Sequence, residues 1–176
     1  MSRPTPDRFH PVARVLLLAY VLLAAAACDR TPHLEGHVTD LANVFSVRER
    51  ERLTEMLSAY EEETSHQLAV LAVPRLSGES IESFSLRVAN SAALGRKGVN
   101  NGILVILAME ERRVRIELGL GFERYIPDSK AKDIIGTGMV PAFREGDYAG
   151  GIERGLQQLM VEGRRFVVAR EDRTRK

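Results

Sequence analysis

Tryptophan is absent from these 176 residues, cysteine occurs once and histidine four times. Each shortage excludes a chemistry. A lone Cys28 rules out an internal disulfide, and without a cysteine or histidine pair there is no zinc-ligand spacing. His10 lies in the N-terminal segment, His33 and His37 precede the folded region, and only His66 falls within it, flanking the start of a strand. No serine sits in a nucleophile elbow, so a serine, histidine and aspartate hydrolase has no support. Excess charge is missing too. The formal net charge is +1; residues 1–27 hold three basic and one acidic residue, and without them the balance is 22 basic against 23 acidic. Setting aside residues 164–176, with six basic and two acidic, leaves 16 against 21. A mildly acidic domain with a basic tail lacks the basic face that nucleic-acid binding requires.

No apolar run reaches the roughly 18–20 residues that span a bilayer. Val15 to Ala27 is thirteen apolar residues behind Arg3, Arg8 and Arg14, the pattern of a signal peptide over residues 1–27. Cys28 follows Ala24-Ala25-Ala26-Ala27 directly, as in a bacterial lipoprotein whose cysteine thiol is lipidated. Ala25 stands where leucine is usual, and the competing reading is ordinary cleavage that leaves a free thiol. The sequence therefore predicts export and a membrane anchor in the envelope, on the periplasmic side. Asp29 resembles an inner-membrane retention signal.

Residues 28–37 read as a polar tether, and the domain is expected over 38–163 with a basic tail over 164–176. Ser46 and Glu49 form a capping box that opens a helix near 47–63, with Leu53, Met56, Leu57 and Tyr60 on one face. Gln67 to Val73 is a buried strand stopped by Pro74. A second helix, about 80–94, ends at Gly95. Ile103 to Met109 is an unbroken apolar run, the mark of a strand covered on both faces, whereas Arg113 to Leu118 alternates. The pair forms a central antiparallel hairpin, and the crossover rule makes 67–73 and 103–109 parallel neighbours. Two further helices follow, about 129–139 and 148–163, capped by Asp128 and Asp147. Gly136, Gly138 and Pro141 are expected to end or loosen the former, while Gly150, Gly151 and Gly155 allow the latter a close approach to the sheet. The resulting fold class is α/β: a three-layer α/β/α sandwich on a mixed sheet, Rossmann-like.

The hairpin's antiparallel geometry brings Asn100-Asn101-Gly102 beside Gly119-Leu120-Gly121-Phe122-Glu123. Gly119-x-Gly121 lacks the third glycine of a dinucleotide loop and no helix follows directly, so no nucleotide is expected. The two glycines instead suggest a tight reversal with positive φ. What remains is oxygen chemistry from Asp40, Asn100, Asn101, Glu117, Glu123, Asp128 and Asp147, donors suited to calcium or magnesium. Against this, Asp128 and Asp147 are adequate as helix caps and Asn100-Gly102 as a turn.

The segments VTDLANVFS (38–46), HQLAVLAV (66–73), NNGILVILAMEERRVRIELGLGFE (100–123), and IPDSKAKDII with VPAFREGDYAGGI (126–152) resemble the TPM-domain family of thylakoid and bacterial envelope proteins. The resemblance implies the fold inferred above. It also implies an acidic groove that binds a divalent cation, with Asp40, Asn101 and Glu123 as matching ligand positions and Gly102, Gly119 and Gly121 as the glycines of the site. Asn100 stands where the family usually has aspartate and brings no charge. Two functions follow from the resemblance. The first is a membrane-tethered module that assists or regulates a membrane protein. The alternative is a metal-dependent phosphatase acting on phosphate monoesters, at most a weak one, since no nucleophile or phosphate-binding arginine occurs at the predicted edge.

Overall fold

The computed structural model describes residues 31–123 and 125–174, with side chains as far as 166. The expected signal segment, Cys28 and Asp29 lie outside the described residues.

Four strands form one sheet in the order β1 (Val38–Asp40), β2 (Gln67–Val73), β3 (Gly102–Ala108), β4 (Arg113–Leu118). The first three are parallel and β4 is antiparallel to β3. The hairpin thus supplies the inner strand β3, buried throughout, and the edge strand β4, whose alternating sequence leaves one row of charges outward. Helix α1 (Val47–Thr64) connects β1 to β2, and α2 (Ile81–Ser91) connects β2 to β3. Leu53, Leu57 and Tyr60 of α1 pack on one face of the sheet with Leu68, Val70 and Ala72; Ile81, Phe84 and Val88 of α2 pack on the other with Ala69, Leu71 and Val73. Both crossovers step the same way across the sheet yet use opposite faces, so they have opposite hands, one departing from the right-handed rule.

The capping box forms as the sequence predicts: the Ser46 amide donates to Glu49 Oε2 at 2.7 Å and the Glu49 amide to Ser46 Oγ at 3.3 Å. Later elements depart from expectation. Pro127, not Asp128, occupies the cap position of α3 (Asp128–Asp133), and no side chain caps it. The glycines and Pro141 loosen that helix rather than end it. The chain passes through a π-helical turn (Ile134–Met139) into α4 (Val140–Arg144), the wider turn accommodating a proline that has no amide to donate. Asp147 does cap α5 (Tyr148–Thr174), its Oδ1 accepting the Gly150 amide at 2.8 Å. Gly150 packs against its own cap, Asp147, and the other glycines of α5 meet other helices rather than the sheet. A Cβ on Gly151 would strike Phe143, one on Gly155 would strike Met139, and one on Gly163 would strike the Tyr60 hydroxyl.

Helix α5 runs past 163, where Arg164 makes two hydrogen bonds to Glu63 at 2.7 and 2.8 Å and Phe166 stacks near Phe122. Residues 31–37 lie against the domain: Arg87 donates to Thr31 Oγ1 at 2.6 Å, the His37 carbonyl accepts the Val70 amide, and Leu34 packs on the α2 side of the core. Among the described residues no helix is long and apolar enough to cross a membrane.

Candidate functional site

The predicted hairpin edge is a groove of about 450 Å³ at the amino-terminal ends of the parallel strands. Antiparallel pairing of Ile103 with Leu118 brings its two halves together. The Gly119 amide donates to the Gly102 carbonyl at 2.8 Å and the Gly121 amide to the Asn100 carbonyl at 3.1 Å. Phe122 and Ile126, both buried, pin the chain beyond. Gly119 and Gly121 are not in the positive-φ region, contrary to expectation; they are required because a Cβ on either would collide with the carbonyl of Asn100 or Val99. It is Asn100 that is left-handed, with φ 53°, a conformation asparagine tolerates better than most side chains.

Of the predicted ligands, Asn100 and Glu123 line the groove together with Gly102 and Gly119. Glu117, on the neighbouring strand, lines it too, but its Oε2 already accepts Ser85 Oγ at 2.6 Å and Arg115 Nε at 2.9 Å. Asn101 is buried and spent: its Oδ1 accepts the Arg96 amide and its Nδ2 donates to the Ser65 carbonyl, both at 2.8 Å. Asp40 is elsewhere. In register it aligns with Ala72 and Leu107, five residues along β3 from Gly102 and two strands away, which is roughly 19 Å by ordinary strand dimensions. Its buried carboxylate accepts the amides of Val44 (3.2 Å) and Phe45 (2.9 Å) and faces Arg50 Nη1 at 3.7 Å, holding the turn into α1.

The four residues proposed as cation ligands therefore do not converge. Glu123 and the Asn100 amide are what the groove retains, short of the six to eight oxygens calcium takes. Among the described residues no group of three or more histidine, cysteine, aspartate or glutamate side chains is placed to hold a metal. His66 is buried with its Nδ1 3.0 Å from the Tyr60 hydroxyl and its ring edge-on to Phe122, a core position.

Two features went unseen in the sequence. One is the Ser85, Arg115 and Glu117 network, which joins α2 to β4 over a separation of about thirty residues. The other is a larger cavity, about 520 Å³, at the opposite pole between the β3–β4 turn and α4. Its signal was the Arg112-Arg113 pair at the hairpin turn.

A parallel and antiparallel mixed sheet between helices, with this glycine-braced hairpin, defines a compact α/β domain. The TPM-domain family model matches residues 38–162, and the chain belongs to that family. The N-terminal domain of a P. gingivalis protein, solved by solution NMR, is 35% identical, with a TM-score of 0.65 over 72% of this chain and 82% of that one. The N-terminal domain of a Corynebacterium glutamicum protein has the same fold at 17% identity, with a TM-score of 0.57 over 76% of this chain and 84% of the other. Among curated proteins, none matches.

Proposed function

We propose that this TPM domain is a non-catalytic binding module of the bacterial envelope, tethered to a membrane through Cys28, that holds an apolar segment of a membrane-protein partner in its amino-pole groove. The observation behind this reading is the division of labour in the groove. Glu117 on its wall is bonded to Ser85 and Arg115, whereas its apolar rim is left open: Leu86 is 53% and Leu120 is 69% exposed. An uncovered apolar pair flanking a concavity favours a partner over a reaction. Glu123, exposed at the same rim, suits a partner segment that also carries a lysine or arginine. A divalent cation would find a single free carboxylate here, and the proposed role does not depend on one.

A photoreactive residue placed at 120 in intact cells is expected to join the chain to one membrane protein, with the adduct lost in Glu123→Lys. The same residue at Val161, 54% exposed on α5, serves as the control. Identical adducts from both positions would remove the groove from consideration. Hydrolysis of 4-nitrophenyl phosphate that disappears in Glu123→Gln would replace this reading with the phosphatase.

A further inference from the structure

The cavity at the carboxyl-terminal ends of the parallel strands has a composition unlike the rest of this near-neutral surface. Ten of the described residues line it; three are arginine and none is acidic. Arg112 and Arg113 come from the hairpin turn and the start of β4, and Arg144 from the end of α4. Among the described residues none of the three has an ion pair within 4 Å or a side-chain hydrogen bond. Arg113 pairs in register with Ala108 on the α2 side of the sheet, where its charge acts on Glu82, so the guanidinium groups left to the cavity are those of Arg112 and Arg144. Glu111 Oε1 accepts the Leu76 amide at 2.9 Å, and Asp147 is turned towards Gly150 and Arg154. The wall between the arginines is apolar, formed by Met109, Val114, Val140 and Phe143. The tyrosine ring of Tyr148 stands 5.7 Å from that of Phe143, and it too lines the cavity.

Two backbone features support the arrangement. Arg112 adopts φ 51° at the last position of the hairpin connection, where glycine is favoured and arginine is strained. Its cationic side chain is kept at a place where local conformation argues against it. The π-helical turn, closed by the Val140 amide on the Ile135 carbonyl, widens the helix immediately before α4 and so offsets Val140, Phe143 and Arg144, which line the cavity. The pole is also the one where open α/β sheets receive ligands, outside the carboxyl ends of their strands.

We propose that this cavity binds a small organic oxyanion, a phosphate or carboxylate group carried on an apolar or aromatic body. Guanidinium forks match the planar oxygen pairs of such groups and hold them in two parallel hydrogen bonds. Arg112 and Arg144 beside one apolar wall recognise the anion by charge and the body by burial. The volume falls in the range of small-molecule pockets. Among the described residues no serine, cysteine, histidine, aspartate or glutamate lines the cavity, and the role proposed for it is binding. It lies at the other end of the sheet from the partner groove and stands or falls independently of it.

The test is a fluorescence titration of the full chain, carrying Cys28→Ser, with 1-naphthyl phosphate. Saturable binding is expected, at least about tenfold weaker in Arg112→Gln/Arg144→Gln at unchanged melting temperature. The neutral 1-naphthol should bind at least about tenfold more weakly than the phosphate. Displacement of the probe by soluble dihexanoyl phosphatidylglycerol, but not by dihexanoyl phosphatidylcholine, would place the anion on a lipid headgroup; displacement by neither would place it on a soluble metabolite. Equal affinity of the double variant and the parent, or equal binding of 1-naphthol, would overturn the proposal.

Discussion

The side chain of Asn101 donates to the carbonyl of Ser65, thirty-six positions earlier in the chain, at 2.8 Å. Ser65 is the left-handed C-cap of α1, and its carbonyl belongs to a helix end that needs an acceptor's partner. With the Arg96 amide bound at the other end of the same amide group, Asn101 ties α1, β3 and the α2–β3 connection together. Asn101→Ala leaves a donor and an acceptor unsatisfied in a buried place, and should cost about 2 kcal/mol in urea unfolding with an unchanged slope. Asn101→Asp keeps the acceptor but replaces the donor with a buried charge, and should be no less damaging. A loss that appeared only in the presence of calcium would mean that Asn101 is a ligand after all.

Asp40 yields a parallel prediction with a different control. Its carboxylate satisfies two amides of the turn into α1, the role of a cap, in a fully buried side chain. Asp40→Ala should lower stability by about 2 kcal/mol, and by the same amount in EDTA, calcium or magnesium. Differential scanning calorimetry of the variant and parent in the three buffers checks this; a gap that closed in EDTA would restore Asp40 to a cation site.

The glycines separate two reasons for the same residue. Gly121 is confined by the backbone of Val99 and Asn100, so Gly121→Ala must push strand connections apart and should cost more than about 2 kcal/mol. Gly136, in the π-helical turn, has open space where a Cβ would stand. Gly136→Ala should stabilise by about 0.5–1 kcal/mol through the entropy of the unfolded chain. Thermal melts of the two variants should move in opposite directions.

What the sequence made legible follows from how local each signal is. The capping box at Ser46 and Glu49 lies within four residues, and the apolar run at β3 needs no partner to be recognised, so α1 and the hairpin could be read directly. Adjacency of Asn100 to Gly119 follows from antiparallel pairing alone. The position of Asp40 does not. It depends on β1 entering at the far edge, parallel to β2, a choice made by three residues with no distinguishing pattern. The bonds that consume Asn101 and Glu117 span about thirty residues, beyond any window of periodicity. Pro141 and two glycines leave an end and a loosening equally open, because the π turn that absorbs them depends on Met139 and Phe143 packing against Gly155 and Gly151 of α5.

Alkaline pH offers a test of the packing around the start of β2. Tyr60 is buried, its hydroxyl 3.0 Å from His66 Nδ1 and against Gly163 of α5. Desolvation pushes its pKa up from 10.0 to about 12, because burial disfavours the phenolate. A group whose folded pKa is raised contributes stability that is fully present below its unfolded pKa and is lost as pH rises through the folded value. The parent should therefore lose stability between about pH 10 and 12 relative to Tyr60→Phe, which has nothing to ionise. Below pH 9 the order reverses, since the phenylalanine variant lacks the hydroxyl and leaves His66 Nδ1 without that partner, a loss of about 1 kcal/mol. Urea unfolding of both proteins from pH 7 to 11 measures the crossing, and a difference that stayed constant over that range would show that Tyr60 ionises as freely in the fold as in water.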